Sequence, residues 1–99
     1  MMLHHVIMLR WVEGVTDEAK QAVVDGLMGL REEIDTIRAM RMGFDLGIRA
    51  DNFDFASLIE FDDEAGYLTF RDHPAHQKVI VEHIRPAMAE RAGVVFTGP

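Results

Sequence analysis

The amino-acid sequence predicts an α+β domain of the ferredoxin-like class, in which a four-stranded antiparallel sheet carries its helices on one face. Two observations lead to this prediction. The predicted elements follow the order β-α-β-β-α-β, and the simplest right-handed closure of that order is a sheet of this kind. No linker, internal repeat or low-complexity tract interrupts the chain, so we expect residues 1–99 to form a single domain.

The first half of the chain supplies one strand and one helix. The apolar run from Leu3 to Trp11 predicts the first strand, and Thr16 then caps a helix with an acidic first turn. Gly26 and Gly29 weaken this helix by up to about 1 kcal/mol each relative to alanine, so either another element approaches closely there or the glycines are merely tolerated. Helical spacing places four apolar residues on one face: Val23, Leu27, Leu30 and Ile34.

The second half begins with two extended runs. Ile37 to Leu46 predicts the second strand, and the alternating segment from Phe53 to Phe61 predicts the third. The acidic residues 62–64 begin another helix. After Gly93, the short segment from Val94 to Phe96 predicts the last strand.

Pro74 interrupts the second helical segment. Proline has no amide hydrogen and biases the preceding residue away from helical dihedrals, so one helix should end near Asp72 and the next should begin with Pro74. His73 then lies at the break, and Pro86 disturbs or ends the second helix. One stripe of that helix contains His76, Val79, Ile80 and His83, which places the imidazole of His76 along an apolar face.

The first strand is apolar on both faces. Its odd-numbered residues from His5 to Trp11 face one way, and its even-numbered residues, including Val6 and Met8, face the other way. Helices on one side of the sheet leave the other side uncovered, and a second copy of the same face is the simplest cover, which predicts a homodimer with a shared barrel. We expect the neighbours on that outer face to include Met40, Met42 and Leu58.

The charge balance excludes one class of ligand. The chain contains 10 Lys and Arg residues against 17 Asp and Glu residues, a net charge of −7, so we expect no nucleic-acid partner. It has no cysteine, which fits a reducing interior. No segment approaches the roughly 18 apolar residues of a membrane span, and His4, His5 and Arg10 make the first apolar run unlike a signal peptide. We therefore expect a cytoplasmic protein without a membrane partner.

Five histidines raise the question of a metal site. Their spacing argues against one, because His73 and His76 straddle a helix start and no HExxH motif occurs. Glu82 adjoins His83 without a second ligand in register. We predict no metal and no cofactor.

Three segments together resemble the stress-responsive dimeric α/β barrel (Dabb) domain family. They are HHVIMLRW at residues 4–11, the passage from FDD to HPAH at residues 61–76, and the terminal apolar strand. The resemblance covers essentially the whole chain and implies a ferredoxin-like dimeric barrel. Known members include stress proteins and plant polyketide cyclases that close an aromatic ring, such as olivetolic acid cyclase.

The resemblance also implies candidate site residues. Cyclase-like members use a histidine that corresponds to His76, a tyrosine three residues before the first histidine of HPAH, and a carboxylate in the last strand. Here Phe70 occupies the tyrosine position, and Val94 and Val95 stand in the last strand. Tyr67 could supply a hydroxyl from a neighbouring turn, but on an ideal helix its direction differs from that of residue 70 by about 60°, which makes it a weak substitute.

The resemblance implies a mainly apolar pocket between sheet and helices. We predict His76 as its base, with His5 in support; the alternative for His76 is a structural bond to a backbone carbonyl beneath the helix break. The predicted ligand-binding residues are Ile7 and Leu9 from the first strand, Val23, Val24 and Leu27 from the first helix, Ser57 and Ile59 from the third strand, and Tyr67, Phe70, Val79 and Ile80 from the second helical segment.

We therefore expect a homodimer that binds a small hydrophobic or aromatic molecule without turnover, because the two departures remove an acid and an orienting carboxylate. One alternative is a cofactor-free polyketide cyclase or isomerase with His76 as acid/base. Another is a monooxygenase-like member of the wider dimeric barrel superfamily, acting on aromatic substrates without a bound cofactor.

Overall fold

The computed structural model describes all 99 residues, and its elements follow the predicted order. The strands form one antiparallel sheet in the order β2-β3-β1-β4, which confirms the ferredoxin-like fold. None of the helices combines the length and apolar character needed to cross a bilayer. The elements are β1 (Met2–Trp11), α1 (Asp17–Glu33), β2 (Ile37–Phe44), β3 (Phe55–Phe61), α2 (Glu64–Asp72), α3 (Pro74–Val79), a π-helical turn (Ile80–Ile84), α4 (Arg85–Ala87) and β4 (Met88–Gly98).

Side-chain caps begin the two longer helices. The Thr16 hydroxyl accepts a hydrogen bond from the Ala19 amide at 3.0 Å, and the Asp63 carboxylate accepts one from the Gly66 amide at 2.9 Å. Each cap satisfies an amide that the first helical turn leaves without a partner. The predicted apolar stripe of α1 then packs into the core with the buried aromatic residues of β3 and α2.

His73 holds the break between α2 and α3. Its backbone is extended, as the following proline requires, and its amide donates to the Phe70 carbonyl at 3.2 Å to close α2. Its Nδ1 accepts a hydrogen bond from the Ala75 amide at 3.1 Å, which caps α3. The predicted end of one helix near Asp72 and the start of the next at Pro74 are both observed.

Pro86 accounts for the π-helical turn. Without an amide hydrogen, Pro86 cannot donate to the carbonyl four residues earlier, and its ring would collide with that carbonyl. The helix widens instead, and the Arg85 amide donates to the Ile80 carbonyl five residues earlier. This wider turn forms part of the wall of the cavity described below.

The last strand is much longer than predicted. Instead of the segment from Val94 to Phe96 alone, β4 pairs with β1 over nearly its whole length, and Gly93 lies inside it, opposite Ile7. Glu90 and Arg91, early in β4, have low strand propensity, so the sequence did not predict a strand there. Pairing with β1 holds them in an extended conformation. The second strand ends at Phe44, two residues earlier than predicted.

Met40 and Met42 lie on the helix-facing side of the sheet, so their predicted place on the outer face is wrong. Met40 stands opposite Ile59, and Met42 stands opposite Ser57. An irregularity between Ile37 and Ala39 adds one residue to β2 and inverts its alternation. Met40 is buried in the core, and Met42 packs against it.

The outer face of the sheet is apolar at its centre, as β1 predicted. Val6 stands opposite Leu58 on one side and Val94 on the other. Met8 and Phe96, on the same face, are 38% and 47% exposed. Contiguous exposed apolar side chains on a small domain are typical of an interaction surface.

We expect the wild-type protein to have twice the 11.2 kDa chain mass in size-exclusion chromatography with light scattering. Met8→Glu should give a monomer, because an unpaired carboxylate buried in an interface costs several kcal/mol. Arg10, two residues along the same face, already pairs with Glu90 at 3.0 Å and is not free to compensate. The control is Met28→Glu on the exposed side of α1, which should remain dimeric. A monomeric wild type, or a dimeric Met8→Glu variant, would contradict the predicted interface.

Candidate functional site

A cavity of about 380 Å³ lies between β1 and the helical segment that follows the proline break. Its volume suits a small organic molecule. The strand supplies its floor, and the helices and the start of β4 supply its walls. It is lined by His5, Ile7, Leu9, Tyr67, Arg71, His76, Gln77, Ile80, Ile84, Arg85, Met88 and Arg91.

The structure brings six of the predicted site residues together in this cavity. They are His5, His76, Ile7, Leu9, Tyr67 and Ile80. The other seven do not line the cavity. Six are buried in the core, and Val24 is half-buried against it: Val23, Val24, Leu27, Ser57, Ile59, Phe70 and Val79. Helical and strand periodicity shows which side chains point inward, but it does not show which of these border an opening.

His76 uses one ring nitrogen to secure the helix break. Its Nδ1 lies 3.1 Å from the backbone carbonyl oxygen of Arg71. A carbonyl can only accept, so Nδ1 is the donor, and in the neutral ring Nε2 holds the lone pair. The ring stacks on Phe70 with a centroid distance of 4.0 Å and lines the cavity. His76 therefore makes the hydrogen bond that secures the helix break and also lines the cavity.

Burial is the main cause of the lowered pKa of His76. Hydrogen bonding to the carbonyls of Arg71 and Phe70 opposes this shift in pKa, while the charges of Arg91 and His73 add to it. The imidazole is consequently neutral at pH 7, which is the form that can accept a proton.

His5 lies on the floor of the cavity with its Nδ1 buried and without a hydrogen-bond partner. Burial first, then the charges of Arg91 and His76, lower the pKa of His5 to about 4. The two imidazoles therefore present lone pairs rather than charges near neutral pH.

Tyr67 brings a phenol to the cavity although position 70 carries a phenyl ring. Its ring centroid lies 5.2 Å from that of His5. Residues 67 and 70 share one face of α2 because they are three apart, with ring centroids separated by 6.5 Å. Phe70 is fully buried beneath His76, whereas Tyr67 is half-buried and borders the opening. The small angular difference between the two positions therefore does not keep Tyr67 from the cavity.

Arg91 is a cavity residue that the sequence analysis missed, because the predicted last strand began after it. In β4 it stands opposite Leu9, on the helix-facing side. Its guanidinium lies against Gly93, where an added Cβ would come within 3.1 Å of both terminal nitrogens. Extending the strand alternation backwards from Val95 through Gly93 would have placed Arg91 on the face of the cavity.

The positions of the histidine and carboxylate side chains do not indicate a metal site. No group of three or more His, Asp or Glu side chains is arranged to hold a metal ion. His4 lies on the outer face, where its Nε2 is 3.2 Å from the Gly98 carbonyl oxygen and its ring stacks on Phe96.

The topology and this cavity define a ferredoxin-like α+β domain with a small-molecule-sized opening between its sheet and its second helical segment. The family model described as the Stress responsive A/B Barrel Domain (Dabb) matches residues 3–96, and the chain belongs to that family. None of the curated protein sequences matches this chain.

Solved structures of similar proteins share the whole fold. A dimeric ferredoxin-like protein of unknown function from Thermobifida fusca is 33% identical, with a TM-score of 0.87 over 97% of this chain and 90% of that chain. A hydroxynitrile lyase from Passiflora edulis is 21% identical, with a TM-score of 0.86 over 99% and 97%. A Dabb family protein from Mesorhizobium loti is 15% identical, with a TM-score of 0.81 over 99% and 97%. The last two likenesses show the fold alone.

The lowered pKa of His5 predicts a pH-dependent stability. In the unfolded chain, histidine takes up its proton near its ordinary pKa of 6.5, but in the folded chain His5 does so only near 4. The unfolded state thus binds more protons in this window, so the contribution of His5 to stability falls as the pH drops from about 6.5 to 4.

Urea unfolding at a series of pH values, with wild type and His5→Phe side by side, measures this effect. The variant should lose less stability on acidification. An equal loss in both proteins, or a His5 ring that titrates near 6.5 by NMR, would contradict the assignment.

Proposed function

We propose that this chain forms a homodimer through its outer sheet face and binds a small aromatic or conjugated molecule in the cavity beside His76. The observation that carries the proposal is a set of three flat rings that line the cavity, those of His5, Tyr67 and His76. The rings of His5 and Tyr67 lie 5.2 Å apart, and the ring of His76 stacks on the buried Phe70 at 4.0 Å. Flat rings next to isoleucine side chains favour a flat apolar ligand.

The proposed dimer has two independent supports. The first is the apolar row on the outer face, in which Val94 is exposed and Val6 and Leu58 are half-buried. The second is the Thermobifida fusca protein, which is described as dimeric and is 33% identical to this chain. If the outer faces pair, the helix-facing cavities remain open on the two opposite sides of the assembly.

Naphthamide, a neutral aromatic probe, tests the binding proposal by isothermal titration calorimetry. We expect Ile80→Trp to lower the affinity by about tenfold or more, because the larger side chain fills the cavity. Val81→Trp is the matched control, since Val81 is 55% exposed and does not line the cavity. Undetectable binding to the wild type, or equal affinity in the Ile80→Trp variant, would contradict a ligand site here.

A second candidate function, proton abstraction without a cofactor, is favoured by the hydrogen bond between His76 Nδ1 and the Arg71 carbonyl. This bond fixes the tautomer, a task for which a carboxylate in the last strand is not required. Nε2 would then take a proton from a carbon or oxygen acid, and the Tyr67 hydroxyl would donate a hydrogen bond to the oxygen on which negative charge develops. The Passiflora edulis neighbour is described as a hydroxynitrile lyase, so another protein with this fold carries lyase activity. The monooxygenase alternative finds no specific support among the cavity residues and remains a prediction from the resemblance.

Nitrobenzisoxazole offers a direct test of a base in the cavity. Removal of its ring C–H proton breaks the N–O bond and opens the ring to a single product, a coloured phenolate that carries a nitrile group. We expect acceleration over buffer and a loss of about 10²-fold or more in His76→Gln. The rate should fall on acidification, with its midpoint below the ordinary histidine pKa of 6.5, because protonation of His76 removes the lone pair and burial lowers the pKa of His76.

Folding of the His76→Gln variant should persist, because the Gln77 side chain also donates to the Arg71 carbonyl, at 2.8 Å. A melting curve checks this. His83→Gln, outside the cavity, is the control and should retain the wild-type rate. A rate that is unchanged in His76→Gln would remove the base assignment and leave the binding proposal in place.

A further inference from the structure

We infer that the ligand of this cavity is an organic anion with an aromatic or conjugated body, and that Arg91 binds its carboxylate or an equivalent oxyanion. The inference rests on the proposed function, since it names the chemical class of the ligand for the same cavity. It adds a charged recognition group to a site otherwise defined by apolar walls and neutral imidazoles.

The distribution of charge around the cavity is the first support. The chain is acidic, with 17 Asp and Glu residues against 10 Lys and Arg residues. The lining nevertheless contains three arginines, Arg71, Arg85 and Arg91, and no carboxylate. Concentration of one sign of charge at a concave surface raises the local potential and attracts a ligand of the opposite sign.

Arg91 is available for such a ligand. Arg71 already donates two hydrogen bonds to the Asp72 carboxylate, at 2.9 and 3.1 Å. Glu90, the chain neighbour of Arg91, stands opposite Arg10 on the outer face and pairs with it there at 3.0 Å. Neither Arg91 nor Arg85 forms an ion pair, and a guanidinium has donors matched to both oxygens of a carboxylate.

Gly93 positions the guanidinium. Residues 91 and 93 lie on the same face of β4, and a Cβ on residue 93 would come within 3.1 Å of both terminal nitrogens of Arg91. Any larger residue at position 93 would require the guanidinium to move by a few tenths of an ångström or more from the place where it now lies. Gly93 stands opposite Ile7 and Arg91 opposite Leu9, so the guanidinium lies beside the part of β1 that forms the cavity floor.

The remaining polar groups fit an anionic ligand with an apolar body. His5 and His76 are neutral near pH 7, and the charge of Arg91 is one reason for their lowered pKa values. The arginines therefore supply the positive charge, while the imidazoles and Tyr67 contact the body of the ligand. A carboxylate on Arg91 leaves its aromatic part among Ile80, Ile84 and the rings.

A matched pair of probes tests the inference: naphthoate and naphthamide, which share a ring system and differ in charge. By calorimetry at low ionic strength, the wild type should bind naphthoate about tenfold or more tightly than naphthamide, because charge-assisted hydrogen bonds are roughly twice as strong as neutral ones. Arg91→Gln should remove most of this preference by weakening naphthoate alone. Arg91→Lys should keep part of it, and added salt should reduce it.

Arg31→Gln is the matched control, because Arg31 is exposed near the end of α1 and does not line the cavity. It removes the same charge and should leave the preference unchanged. Gly93→Ala retains every charge but moves the guanidinium by a few tenths of an ångström, so it should weaken naphthoate binding less than Arg91→Gln does while sparing naphthamide.

The outcomes separate this inference from the proposed function. Equal wild-type affinities for the two probes would overturn the inference and leave the binding site intact. A preference that is undiminished in Arg91→Gln would overturn the role of Arg91. If neither probe binds, the proposed function fails and the inference fails with it.

Discussion

The missing amide hydrogen of Pro74 is the constraint on which the candidate site depends. It forces a break at His73, and the Ala75 amide then bonds to the His73 ring instead of to the carbonyl of Arg71. That carbonyl is left for side chains, and it accepts from His76 Nδ1 at 3.1 Å and from Gln77 at 2.8 Å. A local backbone defect thereby fixes the tautomer of the imidazole and leaves its Nε2 as the basic nitrogen.

The two faces of β1 belong to two different surfaces of the protein. Its odd-numbered residues His5, Ile7 and Leu9 form the cavity floor, and its even-numbered residues Val6 and Met8 form the centre of the outer face. Because adjacent side chains of a strand point in opposite directions, one ten-residue strand connects the cavity to the proposed interface. A shift of this strand by one residue would exchange both surfaces.

Neutral imidazoles and an unpaired guanidinium coexist in the cavity because burial affects them differently. Desolvation disfavours the charged form of histidine. Burial therefore lowers the pKa of both His5 and His76, and both rings are neutral near pH 7. Arginine keeps its charge at any pH the fold tolerates, and Arg91 remains exposed to solvent at the edge of β4. In the proposed site, the group that would accept a proton is therefore different from the group that would bind a negative charge.

The sequence by itself determined the features that depend on a few neighbouring residues: the order of elements, the Thr16 cap and the break at Pro74. It left open whether another element approaches Gly26 or Gly29. At Gly26 an added Cβ would lie 3.1 Å from Val79, whereas Gly29 has nothing within 4 Å, and the sequence could not tell these two glycines apart.

Only the tertiary structure decided the length of β4, the face of Met40, the part of the predicted pocket that stays open, and the presence of Arg91 in it. Each of these depends on pairing or packing with residues far along the chain. Leu9 stands opposite Arg91, and a bulge in β2 turns Met40 towards Ile59. The local periodicity of the sequence does not identify these partners, because strand register and side-chain packing depend on contacts between segments that are distant in the chain.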